Sequence, residues 1–228
     1  MLHALPHPQP RACALADIFT EVDEDLRRDR AERLWKKYGN YVLALAVLIV
    51  VGTGGWTWWT DHQRKQSAAE GNRFFAALAT MDPAQPEPAI EKFAAVGREA
   101  KSGYRTLALM HEAGLKARAK DVDGALALYR AVAADTAADA DLRDAATLLG
   151  ALVAVEKLSQ AEIDTMLAGL TAGSSAWRFS ALEVSAAAAL RGGNRGRAKD
   201  LYTRIADDPA APASLRARAA EMLQALAG

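Results

Sequence analysis

Cysteine and histidine are nearly missing from this 228-residue chain. One cysteine, Cys13, excludes an intrachain disulfide and a four-cysteine zinc site. The histidines are His3, His7, His62 and His111, and only the last two lie in the stretch read below as a folded domain, His62 at its very start. That leaves little material for a histidine metal cluster or a Ser-His-Asp triad. Charge of one sign is also missing: 28 basic side chains face 28 acidic ones. The balance is the same in residues 1–60, with 7 of each, and in residues 61–228, with 21 of each. A nucleic-acid domain normally carries a basic excess, so no nucleic-acid partner is expected. GxSxG, P-loop, HExxH and CxxC patterns are all missing. The chain is read as a non-enzyme with no catalytic, cofactor or metal site.

What is abundant is alanine. Residues 61–228 hold 45 alanines in 168 positions, and alanine is the strongest helix former. Glycine and proline collect where helices would end, so an all-α protein is expected. The apolar content is also uneven. No charged residue occurs between Lys37 and Asp61, a run of 23. Its centre is YVLALAVLIVV (41–51), with Trp35, Tyr38 and Tyr41 before it and Trp56, Trp58 and Trp59 after it. A spanning helix needs about 20 apolar residues, and amphipathic rings favour the two membrane interfaces. Arg27, Arg28, Arg30, Arg33, Lys36 and Lys37 precede the run, against Arg64, Lys65 and Arg73 after it. The excess places the N-terminus in the cytoplasm and residues 61–228 outside, which is the periplasm in a double-membrane cell.

The domain plan that follows has four parts. Residues 1–15 are expected to be disordered, or an extension ahead of a true start at Leu15. They lack the apolar run of a secretory signal peptide. Residues 16–40 form a charged cytoplasmic juxtamembrane helix, acidic first and basic last. Residues 41–60 form an uncleaved signal anchor, and residues 61–228 a periplasmic repeat domain. Gly52, Gly54 and Gly55 lack the GxxxG spacing of a close helix contact.

Internal repetition organises the last part. A shift of 73 lays Tyr104-Arg105 on Trp177-Arg178, Leu128-Tyr129 on Leu201-Tyr202, Asp135 on Asp208 and Leu142-Arg143 on Leu215-Arg216. Half that shift relates Ala89/Phe93, Ala125/Tyr129 and Ala198/Tyr202, with Glu162/Met166 breaking the small–aromatic pair at the third place. Phe93, Tyr129, Met166 and Tyr202 are 36, 37 and 36 residues apart, a period that means stacked helix pairs. Helices are expected at about 62–81, 86–99, 103–119, 122–134, 139–157, 159–170, 174–191, 194–207 and 211–226, giving four pairs and a capping helix. Asp121 should cap a helix, and Ser159 with Glu162 should form a capping box. The alanines let paired helices approach, and the rings fill the space towards the next pair. Tyr104 and Trp177 are expected in the seams between repeats.

Other motifs take structural readings. Gly192-Gly193-Asn194-Arg195-Gly196 joins two helices and follows no strand, unlike a phosphate loop. Asp135, Asp139, Asp141 and Asp144 lack the glycine and terminal glutamate of a calcium loop and read as caps and first-turn acids. Arg105 and Arg178, at equivalent positions, have two open roles: holding acidic groups of a ligand, or keeping a rim soluble.

The opening ADIFTEVDEDLRRDRAERLWKKYGNY (16–41), followed at once by a single span, resembles the start of the YfgM-like inner-membrane proteins. The helix pairs of period near 36 are similar to their tetratricopeptide-like periplasmic domain, so the resemblance covers residues 16–228. It implies a tetratricopeptide-like α-solenoid behind one transmembrane helix. It also implies a role ancillary to the SecYEG protein-conducting channel. The expected partners are Sec translocon subunits, periplasmic chaperones or emerging client chains, beside the lipid bilayer. Glu162/Met166 and the proline-rich first turn depart from the usual repeat. The competing reading is a membrane-anchored scaffold for another envelope assembly or division complex.

Overall fold

The computed structural model describes residues 13–101 and 103–227, and the chain divides into two compact units, Met1–Arg64 and Lys65–Gly228. Helix α1 runs from Cys13 to Leu78. It runs without a break through the three successive helical segments expected at 16–40, 41–60 and 62–81. The reason is visible in the sequence: no proline occurs between Pro10 and Pro83, and a single glycine costs a helix only about 1 kcal/mol. α1 also takes in Cys13, Ala14 and Leu15, part of the stretch expected to be disordered; the expectation for residues 1–12 lies outside the described residues.

In the first unit every large apolar side chain of the run 41–51 is exposed, with Tyr41 at 74% and Leu48 at 69%. Each such side chain is worth about 1.5–3 kcal/mol when taken out of water. Leaving nine of them wet would outweigh the whole stability of an ordinary domain, about 5–15 kcal/mol. The segment is long and apolar enough to cross a membrane, and none of it is buried in the protein. The hydroxyls of Thr53, Thr57 and Thr60 are satisfied within the helix, as a hydrocarbon surrounding would require. Thr53 Oγ1 donates to Ile49 O at 2.7 Å, Thr57 Oγ1 to Thr53 O at 2.7 Å and Thr60 Oγ1 to Thr57 O at 3.0 Å. The Trp58 ring stacks on His62 at 5.8 Å.

The second unit is built from helix pairs. The end of α1 pairs with α2 (Glu87–Glu99), α3 (Gly103–Arg118) with α4 (Val122–Ala134), α5 (Ala140–Ala154) with α6 (Gln160–Ala172), and α7 (Arg178–Arg191) with α8 (Arg195–Ala206). Helix α9 (Ala213–Ala227) covers α8 and touches α7. Contacts run mainly between chain neighbours, as in a solenoid. The signals read in the sequence work as expected. Asp121 accepts from the Gly124 N–H, and Ser159 with Glu162 forms both halves of a capping box.

The small–aromatic pairs make the core. Ala89, Phe93, Ala125 and Ala198 are fully buried, and Tyr129 and Tyr202 nearly so. In the third pair Ile163 and Leu167 carry the burial, and Met166 packs only at the edge. Trp177 is a correction. It was expected in a seam, yet it is exposed, and Phe179 is buried instead. The helix starts later than 174, because Ser175 Oγ donates to Asp144 Oδ2 at 2.6 Å and accepts from the Trp177 N–H. Trp177 is thereby left as N-cap, outside the packed face. Its counterpart Tyr104 is half-buried, with its ring 5.6 Å from Phe74 and its tip close against Gly71.

The 73-residue repetition extends to the turns. Asp121 and Asn194 cap α4 and α8 in the same way, each accepting from the N–H three residues on. The residue before each cap lies in the left-handed region, Lys120 at φ +66° and Gly193 at φ +77°. The glycine-rich stretch at 192–196 is this turn and cap.

Candidate functional site

Helix α3 presents Leu107, Met110, Gly114 and Arg118 along one face, at helical spacings of three and four. Leu142, at the start of α5, and Met81, after α1, close this face into a cleft of about 240 Å³. A second hollow of about 240 Å³ adjoins it and shares Met81, Leu115 and Arg118. Pro83 and Pro86 form its far wall, so the proline-rich turn that departs from the usual repeat shapes this site. Leu115 is buried beneath both hollows. Asp82 is the one acid on the lining, and its Oδ1 is engaged by the Ala84 N–H at 2.8 Å.

His111 also borders the cleft. Its ring stacks on Phe93 at 5.0 Å and meets Phe74 edge-on at 5.4 Å. Burial lowers its pKa below the ordinary histidine value, so the neutral ring prevails near neutral pH. Its neighbour Glu112 is buried on another face, and burial raises its carboxyl pKa against the opposing pull of Lys116 and Arg98. The two groups face apart and form no acid–base pair.

A further cavity of about 300 Å³ lies between α4, α5 and α6, where Met166 stands in the place of the expected ring. Arg130 borders it, 3.8 Å from the Met166 sulfur, and its charge also acts on Glu162. Glu162 is held below the ordinary carboxylate range, first by the Ser159 hydroxyl.

Arg105 and Arg178, left open between ligand binding and rim solubility, are each paired with an acid of the same domain. Arg105 pairs with Asp135 at 2.7 Å and Arg178 with Asp208 at 3.3 Å. Both ties span 30 residues and fasten the start of an odd helix to the turn that follows its partner. The acidic turn is likewise structural: Asp135 accepts from Ala137, Asp139 from Asp141, and Asp144 from Ser175. Among the described residues no three His, Cys, Asp or Glu side chains gather as a metal cluster. Sequence reasoning did not find the cleft. Leu107, Met110, Gly114 and Arg118 carried a signal only as a spacing on one helix, and the opposing walls come from elsewhere in the chain.

The comparisons agree with this architecture. The family described as tetratricopeptide repeat-like domain matches residues 32–225. No curated protein and no solved structure matches the chain. The match takes in the apolar end of the first unit as well as all the helix pairs, and the chain belongs to the tetratricopeptide repeat-like domain family.

Proposed function

We propose that the protein is a single-pass membrane-anchored adaptor whose helical repeats hold protein partners beside a membrane machine. The observation that carries this reading is the exposed apolar run on α1, in a chain whose remaining helices form a repeat stack with an open apolar cleft. The basic excess before the run supports a cytoplasmic N-terminus and a periplasmic repeat domain. The resemblance of residues 16–41 to YfgM-like proteins favours the Sec channel as the machine, with its subunits, periplasmic chaperones or emerging chains as partners. The mechanism is tethering. A domain held next to the channel meets its partners at an effective concentration in the ~mM range, so weak contacts suffice.

The test is affinity purification of the full-length protein in mild detergent at native expression, with quantitative mass spectrometry. Channel subunits should be recovered, and lost when residues 16–60 are exchanged for an unrelated anchor. Enrichment of a different envelope complex would instead make the protein a scaffold of that complex.

A further inference from the structure

Charge accounting separates the cleft on α3 from the other hollows of the repeat domain. Arg73, Arg105, Arg178 and Arg218 each hold a carboxylate of the same domain. Arg130 has the field of Glu162 beside its cavity. Among the described residues Arg118 has neither: no carboxylate lies within 4 Å of it and its guanidinium makes no hydrogen bond. It stands where the two hollows meet. Asp82, the nearby acid, is turned into its own loop by the Ala84 N–H. Apart from Asp82 and His111 the other walls are apolar, and two of them are methionines, whose flexible thioethers adapt to varied side chains.

We propose that this cleft seats a partner segment in which one carboxylate is flanked by large apolar side chains, the carboxylate on Arg118 and an apolar side chain in each hollow. This rests on the adaptor reading and specifies what the repeat domain grips. Size supports it: about 240 Å³ per hollow is below the roughly 300–1,000 Å³ of small-molecule pockets and suits single side chains. Charge sets the number of acids. His111 and Asp82 are the other ionisable groups on the lining; the neutral imidazole adds no second cation near neutral pH, and the Asp82 carboxylate is held by its own loop. The match is therefore one carboxylate, not an acidic run. Guanidinium binds carboxylate in a fixed fork, which orients the segment as well as attracting it.

The experiment pans a random dodecapeptide phage library against the full-length protein in nanodiscs, after depletion on empty nanodiscs. Arg118→Gln and Arg118→Lys proteins are panned in parallel. Arg118 is exposed, so both variants should keep the wild-type circular dichroism spectrum and melting curve. Wild type should enrich peptides with a lone Asp or Glu between large apolar residues. A resynthesised winner should bind about five- to tenfold more weakly when that acid becomes its amide, the range for a partly exposed charged pair. Arg118→Gln should bind the acid and amide forms alike, and Arg118→Lys should keep much of the preference. Enrichment without an acid, no enrichment, or an acid preference that survives Arg118→Gln would overturn the proposal. Recovery of membrane partners in the purification above, with the cleft failing here, would leave the adaptor reading intact and remove only the cleft assignment.

Discussion

Lys120 holds a backbone conformation that its side chain disfavours. Its φ of +66° lies in the left-handed region, where a β-carbon costs about 1–2 kcal/mol. The equivalent turn 73 residues later uses Gly193 at φ +77°, with open space around the missing β-carbon. The two positions therefore form a matched experiment. Lys120→Gly should stabilise the domain by about 0.5–1 kcal/mol, once the larger freedom of an unfolded glycine is subtracted. Gly193→Ala should destabilise it by about 1 kcal/mol, through conformation alone. Scanning calorimetry would show shifts of about 2–4 °C per kcal/mol in opposite directions. A lower melting point for Lys120→Gly would mean that the lysine side chain contributes more than its backbone costs.

Between elements, position on a helix decides what a ring does. Tyr202 lies inside α8 and is 5% exposed; Trp177 caps α7 and is 36% exposed. Tyr202→Ala should lose on the order of 3 kcal/mol, as expected for an aromatic truncated in a core. Trp177→Ala should change stability by less than about 0.5 kcal/mol. Urea unfolding monitored by circular dichroism measures both. Equal losses would show that Trp177 packs against something in the native protein that its exposure does not suggest. The same logic explains the third pair. Glu162 is spent on capping α6, Met166 only edges the core, and a cavity opens beside them.

For the whole molecule, the consequence of tethering is separable from folding. The repeat unit has its own buried clusters from Phe74 to Ala219. Residues 65–228, expressed without the anchor in the same compartment, should therefore fold with a cooperative melt. They should nevertheless fail to recover the membrane partners at native expression, because the ~mM effective concentration is gone. Undiminished recovery by the free domain would refute tethering.

Much of this molecule is governed by local chemistry and could be read in one dimension. Alanine content, the period near 36, the cap at Asp121 and the box at Ser159 specify helices and their pairing, because capping and helical periodicity act over a few residues. The 23-residue uncharged run acts through length and composition alone, so it too was legible. Where reading failed, a distant partner decided. Ser175 bonds Asp144 across 31 residues, shortens α7 and leaves Trp177 outside. Arg105 and Arg178 were ambiguous until Asp135 and Asp208 came within reach. Nothing in the sequence distinguishes Arg118 from the other arginines of a charge-balanced chain. Its want of a carboxylate, and the two hollows it joins, exist only once the turn after α1, helix α3 and the start of α5 are brought together. Local propensity determines most helix ends, the start of α7 excepted, whereas a cleft and the charge left unmatched in it are properties of surfaces that only packing creates.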